Sequence, residues 1–151
     1  MNDLFLKVHN VTGESKDANH PAWINIHAYT WGVTRSGNGP GMVNYHNLMV
    51  RTTIDKSTPA LMLFASNGNR IRKAELSACK AGDGQIEYYR ITLENVMVSE
   101  VLFDDSGLET EVEYEFQAET VKLQYWEQHA LGGRGAETRA GWNIKHHTSS
   151  F

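Results

Sequence analysis

The chain has 151 residues, the length of one ordinary domain, which argues against separate cofactor and substrate halves and for a single unit over residues 1–151. Fourteen Lys and Arg against eighteen Asp and Glu leave a net charge of −4, an argument against a nucleic-acid or anionic-membrane partner and for a protein one. Apolar residues make up 40% of the chain, enough for a packed core, and one cysteine, Cys79, permits neither an internal disulfide nor a multi-cysteine zinc site.

The opening stretch MNDLFLKVHNVTGE lacks the basic segment, apolar run and cleavage site of a signal peptide, so export by the general pathway is not expected. No apolar run approaches the roughly 20 residues of a spanning helix. The dominant period is two: Leu4, Leu6 and Val8, then Ile24, Ile26 and Ala28, alternate with polar or half-exposed neighbours as strands do. Residues 48–54 and 71–79 are two further strand candidates.

One segment breaks the pattern. Thr58 before Pro59 reads as an N-cap and first helical position, Leu61, Phe64 and Ala65 share a face, and Asn67-Gly68 supplies a left-handed stop. The expectation is one short helix from about Thr58 to Gly68, flanking an otherwise β chain. Residues 85–103 are too long for one straight strand. Because Tyr89, Ile91 and Leu93 are odd-numbered and Val96 and Val98 even, a break is expected at Glu94-Asn95. A second change of parity, from Val112, Tyr114 and Phe116 to Val121 and Leu123, predicts a bulge near Glu119-Thr120. The glycines of LGGRGAETRAG read as a mobile connection to a last strand over residues 142–145.

Chemistry is scarce. Seven histidines show no HExxH spacing, and Asp17 three residues before His20 reads as a turn carboxylate rather than a metal ligand. No GxSxG surrounds a serine, and Pro40 in SGNGPG lacks the N–H that a phosphate cradle uses. Cys79 reads as a small buried hydrophobe. Glu109, Glu111, Glu113, Glu115 and Glu119 form an acidic stripe opposite the apolar even positions, a solvated face with a charged rim as its alternative. No catalytic, metal or cofactor site is therefore expected. The rival readings are a monomeric carbohydrate-binding β-sandwich using exposed Trp and Tyr, and a hydrolase built on Asp17, His20 or the Glu stripe.

A sheet-rich domain must close, cover or pair its edges. The tags DLFLKV, GESKDANH, AYTWG, DKSTP, CKAG, EYYRITLENVMVSEV and GWNIK occur here in one order, and with them the chain resembles the Hcp (haemolysin-coregulated protein) family of type VI secretion systems from Leu4 to about His146. The resemblance implies two packed antiparallel β-sheets forming a barrel-like sandwich with one flanking helix. It also implies a non-enzymatic homo-hexameric ring, stacked into an inner tube that is assembled in the cytoplasm inside a contractile sheath. A VgrG-type spike would cap the tube, small effector proteins would bind in its lumen, and the whole would be secreted.

The loop over residues 35–47 resembles the family's protruding loop but carries fewer glycines than many relatives, and the HTSSF tail has no obvious counterpart. The expected subunit contacts are Thr30, Trp31 and Gly32, the loop residues Gly37, Asn38, Gly39, Pro40 and Gly41, and Asp83, Gln85 and Ser99 near strand ends. Six subunits at −4 put −24 on a ring, so stacking is expected to be opposed at low salt.

Overall fold

The computed structural model describes residues 2–81, 85–129 and 132–150. In chain order the elements are β1 (Asn2–Val8), β2 (Ile24–Ile26), β3 (Ala28–Thr30), β4 (Val33–Arg35), β5 (Val43–Tyr45), β6 (Leu48–Thr53), α1 (Thr58–Asn67), β7 (Ile71–Lys80), β8 (Ile86–Asp105), β9 (Thr110–Gln128), β10 (Arg134–Asn143) and β11 (Thr148–Ser149). The fold is mainly β, with two antiparallel sheets and one α-helix among the described residues, as expected.

The large sheet runs β11-β10-β9-β8-β7-β1-β2, and β6 joins it beside β9 with β3 on β6's other edge. Its closure lies in the segment read from the sequence as one strand. Residues 24–26 pair with β1, Leu4 opposite Ile26, whereas residues 28–30 pair with β6, Tyr29 opposite Val50. The change of partner falls at His27, whose N–H donates to the Arg51 carbonyl at 2.9 Å. One stretch of backbone therefore serves two walls and completes a barrel, which removes two of the edges a flat sheet would leave open. The interior is filled by alternating side chains from opposite walls: Leu6, Ile24, Leu48, Leu76, Ile91, Tyr114 and Phe116 are all buried. Each contributes on the order of 1.5–3 kcal/mol by leaving water.

The expected break in β8 is a kink inside a continuous strand. Asn95 adopts φ +51°, which turns the pleat over, so the buried set passes from Ile91 and Leu93 to Val96 and Val98. Pairing with β9 continues across the kink without a change of register, Glu94 opposite Thr120 and Val96 opposite Ala118. The change of parity in β9 lies opposite this kink, so the bulge expected at Glu119-Thr120 is absent. The register shifts instead between Val98 and Glu100, where Ser99 is the extra residue.

The glycine-rich stretch expected as a connection is strand from Arg134 onward. β9 offers a free edge there, paired from Arg134 opposite Gln128 to Asn143 opposite Thr120, so the last expected strand is the end of β10 followed by a turn. Helix α1 begins at Thr58 with Ser57 as its cap residue. The Thr58 hydroxyl, expected to cap, instead meets the buried Tyr114 hydroxyl at 2.6 Å. Gly68, at φ +70°, ends the helix by donating its N–H to the Phe64 carbonyl. Leu61 faces the core and α1 packs on β8, while Met62 and Leu63 face outward.

Candidate functional site

Most of the expected contact residues lie on or beside one arm. β4 and β5 pair with each other, Val33 opposite Tyr45 and Arg35 opposite Val43, and with no strand of the barrel. The loop read from SGNGPG is therefore the tip of a hairpin, organised by its own side chains. The Arg35 guanidinium donates to the carbonyls of Gly37 at 2.6 Å and Gly39 at 3.1 Å, and the Ser36 N–H donates to the Met42 carbonyl at 3.0 Å. Pro40 opens a 3₁₀ turn that includes Gly41 and ends at Met42, with Asn38 just before it. Met42 closes over Gly37, where a Cβ would come within 3.2 Å of its Cγ.

The root of the arm is fastened. The Trp31 ring lies 6.1 Å from that of Tyr45, both half-buried against the core, and the His46 N–H donates to the Gly32 carbonyl. The Asn47 amide reaches the Glu115 carboxylate at 3.0 Å. Thr30, exposed, ends β3 opposite Met49. Gln85 lies elsewhere, at the start of β8, its amide nitrogen on the Asp3 carboxylate and its buried carbonyl oxygen without a partner. Ser99 is exposed at the β8 bulge and donates to the Glu115 carbonyl at 3.2 Å. Asp83 falls outside the described residues. The expected residues thus form an arm, with Ser99 joined to its root through Glu115, and one separate point at Gln85.

The most enzyme-like constellation adds one residue, Ser77, to the Asp17–His20 pair noted in the sequence. His20 Nδ1 stands 2.7 Å from Asp17 Oδ2, and its Nε2 stands 3.0 Å from Ser77 Oγ, the connectivity of a nucleophile, a base and an orienting carboxylate. Its setting is that of a core tie. Ser77 has no exposed surface, so no carbonyl substrate reaches it, and its hydroxyl proton goes to Glu87 Oε2 at 2.6 Å. Glu87 is held in turn by Arg90 Nε at 2.7 Å. His20 is stacked on Phe5, with ring centroids 4.2 Å apart, and meets the edge of Trp23. The network pins residues 13–23 over the outer face of β1 and β7. The spacing of Asp17 and His20 marked half of it in the sequence; Ser77 carried no signal, because it is 57 residues from His20 and only the fold unites them.

The remaining candidates resolve simply. Cys79 is buried, and burial pushes its thiol up, away from the thiolate. Trp126 is buried under the Arg134 guanidinium, which lies 4.3 Å from its ring, and Trp23, Trp31 and Trp142 are half-buried, so no flat exposed tryptophan offers a sugar platform. Glu111, Glu113 and Glu115 alternate with buried Val112, Tyr114 and Phe116, as the stripe requires. Among the described residues no group of three His, Cys, Asp or Glu could hold a metal ion, and no helix is long and apolar enough to cross a membrane. Inside the barrel the hydroxyls of Tyr29 and Tyr89 meet, joining β3 to β8. Burial pushes the Tyr89 hydroxyl far up, and its bond to Tyr29 pushes the same way.

Residues 5–130 match the family described as "Type VI secretion system effector, Hcp". The chain is 37% identical to "Protein hcp1" of Pseudomonas aeruginosa over 154 aligned positions, covering 95% of each. Among solved structures it superposes on Hcp1 of Salmonella typhimurium with a TM-score of 0.87 at 26% identity, covering 99% of both chains. It superposes on Hcp2 of the same organism with a TM-score of 0.79, also at 26% identity and 99% of both. A barrel closed by residues 24–30, one flanking helix and a match along nearly the whole length lead to one conclusion: the chain belongs to the Hcp family, secreted structural proteins of the type VI secretion system.

Proposed function

We propose that this chain, as a single domain, is the repeating subunit of a type VI secretion tube. Six copies close into a ring, and rings stack into a tube built in the cytoplasm within the contractile sheath and beneath a VgrG-type spike. The tube leaves the cell with small effector proteins in its lumen. Its work is done by surfaces, without catalysis, cofactor, nucleic acid or membrane.

The observation that carries this reading is the arm. It is hydrogen-bonded to no other strand, and a lone two-stranded hairpin is marginal in water, so something beyond the subunit is expected to cover it. Thr30 to Gly32, Gly37 to Gly41, Gln85, Ser99 and Asp83 are proposed as contacts on the two unlike faces that a ring or stack of identical subunits must bring together. The test is size-exclusion chromatography with light scattering, followed by negative-stain images. A mass six times the monomer's, with annular particles, is expected. A lone subunit at high concentration with no rings removes the reading.

A further inference from the structure

The β8–β9 hairpin runs beyond its neighbour. Ile71, the first residue of β7, pairs with Val96, so residues 97–105 of β8 have a strand partner only on the β9 side. This projecting end carries apolar surface: Leu102 and Phe103 are each 51% exposed and Leu108, at the turn, 94%. With Val112 and the stem of Arg51, Leu102 and Phe103 line an open cleft on the hairpin's flank. No described residue covers it.

Charge identifies what does. Between Arg90 and Lys122 there is no Lys or Arg, yet nine of the eighteen carboxylates lie there, so this stretch is −9 and the remainder of the chain +5. A net charge of −4 thus conceals a strongly polarised subunit. Arg51 approaches the stretch as an ion pair, 3.7 Å from Glu113. At the turn, bonds from the Thr110 hydroxyl and the Gly107 N–H hold the Asp105 carboxyl below its ordinary range, keeping it charged.

The matching surface is on the same polypeptide, where α1 leads into β7. Met62 and Leu63 are 50% and 61% exposed, and beyond them come Arg70, Arg72 and Lys73. Neither Arg70 nor Arg72 forms an ion pair with a carboxylate among the described residues, Arg70 reaching the Asn95 carbonyl at 3.2 Å, while Lys73 stands opposite Glu94 across the β7–β8 ladder. Apolar surface beside positive charge complements apolar surface beside negative charge, both in burial and in sign. The two surfaces differ, so their contact is heterologous, the kind that closes rings.

We propose that the tip of the β8–β9 hairpin of one copy docks on the α1–β7 face of the next copy, as the side-to-side contact of the ring. The inference rests on the ring reading above and adds which faces meet. The experiment compares three chains by light scattering and negative stain, with melting temperature as the check on folding. Asp104→Lys/Glu109→Lys/Glu111→Lys is expected to reduce the mass from the ring to one subunit at an unchanged melting temperature. Arg70→Glu/Arg72→Glu/Lys73→Glu is expected to do the same. The chain carrying all six reversals is expected to restore the ring.

Rings persisting in the first variant overturn the proposal and leave the ring reading standing, as does a six-fold reversal that stays monomeric. A wild-type chain that never forms rings overturns both. Should a reversal lower the melting temperature, Met62→Cys/Leu108→Cys treated with a short bis-maleimide provides the second measurement, the native Cys79 being buried. A ladder of linked subunits supports the contact, and a single band overturns it.

Discussion

Tyr29 and Tyr89 tie two walls of the barrel through their hydroxyls, and the chemistry of that pair gives the protein an alkaline limit. Burial raises both above the ordinary tyrosine value; the shared bond adds to the effect in Tyr89 and opposes it in Tyr29. Tyr45 and Tyr114 are raised by burial as well. A raised acid keeps its proton in the folded state while the unfolded chain gives its own up near pH 10, so stability is fully present below pH 10 and falls as pH climbs past it. Tyr89→Phe alone strands the Tyr29 hydroxyl and is expected to cost about 1–3 kcal/mol at neutral pH. Tyr29→Phe/Tyr89→Phe removes both partners and is expected to be milder at neutral pH, with a shallower alkaline loss. Urea titrations at pH 7 and 10.5 check the order. The alternation of β3 and of β8 was legible as strand. That these two hydroxyls face one another was not, because 60 residues separate them and only closure of the barrel brings them together.

Among the elements, the loop between β1 and β2 is the one most constrained by a single small residue. Gly13 donates to the Ala22 carbonyl at 2.7 Å, and a Cβ there would lie 2.5 Å from the Trp23 carbonyl oxygen, backbone that has no room to yield. Gly13→Ala is expected to destabilise the protein by about 1–3 kcal/mol through overpacking. At this chain length that lowers the melting temperature by about 2–4 °C per kcal/mol, readable by calorimetry, and an unchanged value refutes the account. The hydrophobic rhythm gave β1, β6, β7 and α1 with nearly their true bounds, since each has one face in the core. It misled wherever both faces of a strand are used. Residues 24–30 read as one strand because alternation persists while the partner changes. Residues 85–103 read as two because one left-handed Asn95 inverts the pleat without ending the ladder. β10 was missed because its row of mostly exposed residues carries no alternation at all.

At the scale of the whole molecule, net charge and charge distribution give opposite responses to salt. In the proposed ring of six, −24 would oppose stacking, so moderate salt, which shortens the screening length to about 10 Å at 0.1 M, is expected to lengthen stacked assemblies. A side contact between the −9 hairpin and the basic α1–β7 face weakens under the same screening, so high salt is expected to release subunits from rings. Sedimentation velocity across a salt series resolves both: longer species first, then lone subunits. Lengths that do not change, or that shorten, from low to moderate salt would remove the first expectation. The family was legible in the sequence through seven ordered tags. Which faces meet was not, because an interface between copies is written in residues that a single chain has no reason to bury.

The barrel's circle also sets a schedule. β3 finds its place only on β6, and β6 only on β9, with Leu48 opposite Phe116. A nascent polypeptide that has left the ribosome through β7 therefore lacks the stave against which its own first third must lean. It stays an unfinished hoop until β9 has been translated. If the chain assembles as proposed, recruitment into a growing filament is in this way reserved for molecules translated through β9, and shorter ones are left without the shape that their neighbours would grip.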